Sequence, residues 1–440
     1  MAWAAVAAFF GWMAMSNGQS AAAAPDRADY EKLAREMEAN LQTDILAPWF
    51  PVAVDSAHGG FQQEFDEAWE LRPSDTRSIV YQSRLTWVAS EVARRYPERA
   101  AEYRKYAHHG LEYLRDDMWD REHGGFFWEV AAGRPPRALR DGEKHAYGES
   151  FGIYACAACY HATRDPAALD LAKRAFQWLE THAHDAKNGG YYEALTRDGK
   201  PILSPPSPYA VDAIGTRYGF KSMNSHIHLL ESLTALDEVW PDPLVKERLR
   251  EVFHIVRDKI AVFPGCLNLF FTPDWRPVPD HDSFGHDVET GYLLAEAANA
   301  LGMHDDSDTW KMARMLVDHA LDFGWDNAQG GFYDKGSAFN RATDTTKVWW
   351  TQAEGLNALL LLHERFGKTT PRYWDGLLKQ WGFIQRIQVD SRNHGWYSSV
   401  EKDGKAPAGM TKSNAWTDPY HQGRALMNSI ETLHRLAAGK

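Results

Sequence analysis

A turn of the form Gly-Gly-aromatic recurs along this chain at near-constant spacing, and that period limits the fold more than any other feature. The copies read HGGFQQEF from His58, HGGFFWEV from His123, NGGYYEAL from Asn188 and QGGFYDKG from Gln329. Two weaker copies are PGCLNLFF from Pro264 and NHGWYSSV from Asn393. Marked by Gly59, Gly124, Gly189, Gly265, Gly330 and Gly395, the intervals are 65, 65, 76, 65 and 65 residues. The long interval holds a Pro-rich insertion, ILSPPSPYAVDAIGTRYGF, at 202–220. Each copy reads as a short strand or hairpin entered through a turn that needs positive φ.

Between the turns lie amphipathic stretches with apolar residues near 3.6 spacing, such as RLTWVASEVARRY (84–96), ALDLAKRAFQWLETHA (168–183), SHIHLLESLTALDEVW (225–240) and VETGYLLAEAANAL (288–301). One period accommodates two helices of ordinary length with their connections. Six units therefore make twelve helices. Paired helices also build open solenoids, but here the units stop at six without capping repeats. The predicted fold is all-α: a closed (α/α)6 barrel with short β-hairpin loops, forming one catalytic domain over residues 28–437. In such a ring the loops at one end form a cup, and helix starts and hairpins at that end carry the chemistry.

Composition narrows the partners. The net charge is −12 and no Lys/Arg run interrupts the acidic background, which argues against nucleic acid and anionic membrane surfaces. The 18 Trp and 18 Tyr suit the stacking of sugar faces as well as the filling of a large helical core. Cys156 and Cys159 form a C-x-x-C inside the apolar run SFGIYACAACYHA, and with Cys266 they make an odd count. Core packing is the expected role of the pair. Residues 2–15 are almost wholly apolar and lead into small residues suited to cleavage near Ala22–Ala24. Residues 1–24 thus read as a signal peptide or a disordered N-terminus. The first reading predicts export to the periplasm or the medium, the second a cytoplasmic protein. The run is too short for a comfortable transmembrane span, and no later stretch is long and apolar enough.

Five polar clusters stand out. In KSMNSHIHLLES, Asn224, His226 and His228 open a helix, and two histidines two apart cannot share a face, so only one points inward. In DHDSFGHDVETGYLL, Asp282 or Ser283 is placed to cap a helix on which His286 and Glu289 stand three apart. A carboxylate beside an imidazole fixes its tautomer and raises its pKa, as a general acid/base needs. AWTDPYHQGRAL supplies Trp416, Tyr420, His421 and Arg424, and KVWWTQAEGL supplies Trp349, Trp350 and Glu354. Arg84 interrupts the apolar face of IVYQSRLTW, so it faces a cavity or a carboxylate. His286, Asp287, Glu289 and a second His offer a possible zinc or manganese site, yet H-D-x-E lacks the i,i+4 His pair of an H-E-x-x-H helix. No catalytic metal is expected.

The words YQSRLTW, KHAYGESFGIYA, KSMNSHIHLLE, SFGHDVE, KVWWTQAE and DPYHQGRAL, in that order from about residue 30 to 435, resemble the N-acylglucosamine 2-epimerase superfamily, most closely its cellobiose 2-epimerase branch. The resemblance implies an (α/α)6 barrel that inverts C2 of an aldose, or of the reducing-end sugar of a β-1,4-disaccharide, without a cofactor. By position it implies His286 and His421 as the acid/base pair and His228 as a third active-site histidine with a part in ring opening or proton delivery. It further implies Arg84 on the open-chain oxygens, Tyr147, Asn224 and Glu289 in positioning, and Trp349, Trp350 and Trp416 in shaping the sugar subsites. The substrate implied is a mono- or disaccharide.

That chemistry suits those residue types. Only the open aldehyde has an acidic C2 proton. A neutral His can remove it, and Arg with a protonated His can stabilise the cis-enediolate. Returning the proton to C1 instead gives a ketose, so a mannose isomerase-like aldose–ketose isomerase needs nearly the same residues. The chain departs from the branch at NSHIHLLESL and at HQGR, and the 202–220 insertion is expected to lie beside His228 and line the cleft. An (α/α)6 glycoside hydrolase is the rival from another class, and it requires two carboxylates across the scissile bond. A catalytically silent sugar- or protein-binding member of the fold would keep the Trp residues without needing His286 and His421.

Overall fold

Two kinds of helix alternate along the chain, and burial separates them. A computed structural model describes residues 24–133, 137–205 and 210–439. The apolar run at 2–15 and the small residues up to Ala23 lie outside the described residues, and with them the signal-peptide reading. Twelve helices of 12 to 18 residues occur among the described residues: α1 Arg27–Asn40, α2 Ile79–Arg95, α3 Ala100–Tyr113, α4 Ala146–Thr163, α5 Pro166–His182, α6 Met223–Val239, α7 Pro243–Ile255, α8 Phe284–Ala300, α9 Ser307–Phe323, α10 Trp349–Phe366, α11 Arg372–Phe383 and α12 Tyr420–Ala437. None of them is long and apolar enough to cross a membrane.

Even-numbered helices are buried nearly all round. Every residue of α2 from Ile79 to Ala93 and of α4 from Ala146 to Cys159 is buried. Odd-numbered helices bury one stripe. In α9 it runs through Thr309, Ala313, Leu316, Val317 and Ala320, the three-and-four spacing of a helix with one wet face. The even helices pack side by side in chain order and α12 returns to α2, while each odd helix backs its partner from outside, α1 against α12. The result is the expected (α/α)6 barrel, six inner and six outer helices. Cys156 and Cys159 are buried in α4, and burial pushes the Cys159 thiol up to about 11, as befits packing residues.

The Gly turns close hairpins in one common register, bridging Val54 to Phe61, Trp119 to Phe126, His184 to Tyr191, Trp325 to Phe332 and Val389 to Trp396. Gly190, at φ +71°, shows why the second position is Gly: a Cβ there would come within 2.7 Å of the His226 ring. An aspartate just after each of these bridges organises the turn. Asp326 Oδ1 accepts the backbone N–H groups of Ala328 and Gln329, and its other oxygen meets the Lys347 ammonium at 2.7 Å. The same buried pairing recurs as Asp55–Arg77, Asp120–Lys144, Asp185–Lys221 and Asp390–Lys412. Four of these cations sit on the strand that leads into an inner helix, so each pair locks a turn to the start of the next inner helix.

A second clip recurs beside the first. Gln82, Glu149, His226 and Gln352, each the fourth residue of its inner helix, accept the N–H of Phe61, Phe126, Tyr191 and Phe332. These clips fix inner-helix starts and turns at the same end of the ring.

Candidate active site

The second and sixth residues of the inner helices stand one turn apart on one face, so around the ring they make two tiers. The upper tier, at the second position, contains Tyr147, Asn224, Trp350 and His421; the lower, at the sixth, contains Arg84, His228, Glu289 and Glu354. His286 is the third residue of α8, and Gly285 occupies the second position there. One pocket is lined by Arg84, Tyr147, Asn224, His228, His286, Glu289, Trp349, Trp350, Trp416 and His421. All ten residues that the resemblance implies for the site therefore line one cup. It lies at the N-terminal ends of the inner helices, where helix dipoles favour negative charge.

His421 is held by a carboxylate. Its Nδ1 lies 2.8 Å from Glu354 Oε1, and since a carboxylate only accepts, the proton is on Nδ1 and Nε2 keeps its lone pair. Burial, together with the guanidinium groups of Arg84 and Arg424, depresses the His421 pKa well below the usual histidine value. His286 is held by a hydroxyl: Nδ1 meets Ser283 Oγ at 2.7 Å. A hydroxyl both donates and accepts, so it leaves the His286 tautomer free to exchange. Burial lowers His286 to about 4. Both rings are thus neutral near pH 7 and able to take a proton. Trp350 packs near both, with ring centres 4.7 Å from His286 and 5.7 Å from His421. Trp350 rests on Gly285, where an added Cβ would come within 2.5 Å of the indole.

His228 contacts Glu231 through Nδ1 at 3.1 Å, and its ring packs on Phe151 and Tyr147. His226 instead donates from Nδ1 to the Ser222 carbonyl and accepts from Tyr191, so of the two histidines only His228 faces the cup, as the spacing requires. Arg84 meets both halves of its expectation. It lines the cup and pairs with Asp418 at 3.1 Å, while its guanidinium lies over Phe151 and Tyr420 and donates to the Tyr147 hydroxyl at 3.3 Å.

Beneath the tiers, Arg424 gathers three carboxylates from three inner helices. It bonds Glu289 at 2.6 Å and Glu354 at 2.7 Å, and it also contacts Glu231. The Tyr420 hydroxyl donates to Glu231 as well. Against burial, which raises it, these partners and His228 hold the Glu231 carboxyl down at about 2. Of these carboxylates, Glu289 acts against burial at His421 and favours the imidazolium there.

Three sequence expectations change here. Glu289 does not seat His286; it pairs with Arg424 and approaches His421 Nδ1 at 3.8 Å, leaving Ser283 as the partner of His286. Neither does Ser283 cap α8 through its side chain, because its hydroxyl is turned to that histidine. The 202–220 insertion is also placed differently. Its described residues approach a side pocket next to Trp416, where Ala213 faces Trp128 and Arg140, and Tyr218 donates to Glu143 at 2.9 Å. None of them lines the histidine cup. Glu231 was passed over in the sequence, although His228 and Glu231 repeat the three-residue spacing of His286 and Glu289.

Polar atoms wait in the cup wall. Asn224 Oδ1 and Trp349 Nε1 are buried without hydrogen-bond partners among the described residues, which suits them to a ligand rich in hydroxyl groups. Trp416 is 39% exposed at the rim, near Trp128 and Tyr147.

Known proteins share this arrangement of chain. The profile of the N-acylglucosamine 2-epimerase (GlcNAc 2-epimerase) family matches residues 59–425. A cellobiose 2-epimerase of Bacteroides fragilis is 31% identical over 404 residues, covering 90% of this chain and 97% of that protein. The solved structure of cellobiose 2-epimerase from Spirochaeta thermophila superposes with a TM-score of 0.82 at 30% identity, over 93% of this chain and 98% of that one. A D-mannose isomerase of Marinomonas mediterranea is 25% identical over 415 residues, covering 90% of this chain and 97% of that protein.

Proposed function

This chain belongs to the N-acylglucosamine 2-epimerase family and is an isomerase, and from that footing we propose that it inverts C2 of a free aldose or of the reducing-end glucose or mannose of a β-1,4-disaccharide. The observation that carries this reading is the pair of neutral imidazoles, His286 and His421, both near Trp350 in a cup whose lower tier holds Arg84 and His228.

His228, backed by Glu231, assists ring opening by moving a proton between the ring oxygen and the anomeric hydroxyl. In the open aldehyde one of the two imidazoles removes the C2 proton with its lone pair, and the C2–H electrons pass into a cis-enediolate. Arg84 and the inner-helix dipoles stabilise its charge. Delivery of a proton to the opposite face of C2 by the other imidazole completes the inversion, and the reverse reaction exchanges their roles. Glu354 suits His421 to this task, because it anchors Nδ1–H and stabilises the imidazolium once formed. No step draws on a metal or organic cofactor.

An aldose–ketose isomerase is the second reading, supported by the mannose isomerase relative. The difference is whether the enediolate is reprotonated at C2 or at C1. Hydrolysis fits less well, since Glu231, Glu289 and Glu354 are engaged by Arg424 and the histidines rather than set as a free pair across a bond. Product analysis after separate incubation with cellobiose, mannobiose, mannose and N-acetylglucosamine tests the proposal. The 2-epimer supports it, a ketose moves the assignment to isomerase, and released monosaccharide from a disaccharide overturns it.

A further inference from the structure

One of the six turns lacks the device that secures the others. In this turn Ala261 makes the bridge, to Leu267, and Val262 follows it where the other turns have the aspartate; the strand entering α8 carries Asp282 where the corresponding strands carry Lys or Arg. The fourth residue of α8, which elsewhere accepts a turn N–H, is Asp287. Both carboxylates instead meet His319 of the outer helix α9. Asp282, Asp287 and His319 are 3%, 0% and 3% exposed.

The hydrogen-bond bookkeeping of this cluster does not close. His319 Nε2 lies 3.0 Å from the Ala338 carbonyl, which can only accept, so Nε2 carries a proton. The Nδ1 atom then faces Asp287 Oδ2 at 3.2 Å and Asp282 Oδ2 at 3.5 Å. The backbone N–H groups of Ser283 and Leu267 lie near Asp282, but neither of its oxygens makes a hydrogen bond of good geometry, nor does Asp287 Oδ1. No Lys or Arg pairs with either aspartate among the described residues. The three-glutamate cluster at the barrel centre has Arg424 as its cation; this cluster has no such residue.

Three donors converging this closely call for a cation between them. Around a tetrahedral zinc ion with bonds of about 2.0–2.1 Å, neighbouring donor atoms stand about 3.3 Å apart, which matches the two separations from His319 Nδ1. A ligating histidine whose other nitrogen donates to a backbone carbonyl is the usual outer-shell arrangement of such sites. We propose that Asp282, Asp287 and His319 bind one divalent metal ion, zinc by its donor set, as a structural cation joining α8 to α9 behind the sugar cup. The ion would do for this turn what the lysines do for the others.

The test compares wild-type protein with Asp282→Asn and His319→Gln variants, each first dialysed against chelator and then titrated with zinc chloride. Calorimetric stoichiometry and Tm are read together. The proposal expects one more equivalent bound by the wild type than by either variant, with a Tm rise of a few degrees confined to the wild type. Equal stoichiometry in all three proteins overturns it, and so does zinc uptake without a change in wild-type Tm. A chelated Asp282→Asn protein more stable than zinc-treated wild type would show that protons fill the cluster, which also overturns it. If the variants do not fold, X-ray absorption at the zinc edge of the loaded wild type decides. Imidazole together with carboxylate oxygen in the first shell supports the site, and an all-oxygen hydrated ion contradicts it.

Discussion

His421 Nδ1 stands 2.8 Å from Glu354 Oε1, and Glu354 is bonded in turn to Arg424 at 2.7 Å. The imidazole is therefore fixed in one tautomer by a carboxylate that a buried guanidinium orients. Glu354→Gln keeps the size of the side chain and removes the charge that stabilises the imidazolium. It is expected to lower kcat by about 10²–10⁴-fold with little change in KM. Steady-state kinetics on the epimerised sugar check this, and a variant that loses only affinity would assign Glu354 to substrate binding.

The pH behaviour follows from burial. His286 is lowered from 6.5 to about 4, so its base form persists well into acid, and the acid limb of kcat is expected below pH 5 instead of near 6.5. Stability moves in the same direction. His286 and the structural His226, also lowered to about 4 by burial, bind protons more weakly folded than unfolded. Their contribution is full above pH 6.5 and is lost as pH falls from 6.5 toward 4, at up to about 1.4 kcal/mol per pH unit for each group. Urea unfolding between pH 4 and 8 measures the slope, and His226→Gln is expected to flatten it.

Gly285 lies under Trp350, and a methyl group there meets the indole at 2.5 Å. Gly285→Ala is expected to push Trp350 into the gap between His286 and His421. Overpacking of this kind costs about 1–3 kcal/mol. The loss is expected mainly in kcat, on the order of ten-fold or more, because a 1 Å misplacement of reacting groups is felt strongly. A variant with unchanged kcat would show that Trp350 does not set the spacing of the two histidines.

Lys347 is buried between Asp326 and the Gly330 carbonyl and lines no part of the cup. Lys347→Met leaves a buried carboxylate without its cation and is expected to destabilise the fold by about 3–5 kcal/mol. Activity per folded molecule is expected to stay near that of the wild type. Thermal melts with active-site-normalised rates separate the two effects.

Trp416 is the exposed aromatic at the rim, beside the side pocket that Ala213 of the insertion reaches. If that rim holds the second sugar of a disaccharide, Trp416→Ala raises KM for cellobiose about ten-fold or more, on the scale of 1–3 kcal/mol for lost aromatic stacking, and changes the mannose reaction little. Equal loss on both sugars would place Trp416 at the reacting ring.

The fold was legible because its period is written in the turns: six Gly marks, each followed by room for two helices, leave few alternatives to a closed ring. The cup was legible because every inner helix begins with it, so polar words such as SFGHDVE and DPYHQGR fall at helix starts. What stayed hidden were pairings that cross the ring. Glu289 sits three residues from His286, yet its partner is Arg424, which reaches it across the ring from α12, while His286 is met by Ser283. Likewise no local pattern reveals that Asp326 and Lys347 meet, since the pair joins a turn to the strand that follows it. The cluster of Asp282, Asp287 and His319 is visible only once the other five turns are seen to share a cation that it lacks.

The most direct test of the account is proton exchange at C2. The wild type and its His286→Asn and His421→Asn variants would be incubated in D2O with the preferred sugar, and C2 and C1 deuteration followed by NMR. The account predicts an epimeric product deuterated at C2 in the wild type, with turnover abolished in both variants while Tm changes little. Epimer formed with full retention of the C2 proton in the wild type, or undiminished exchange in both variants, would contradict it.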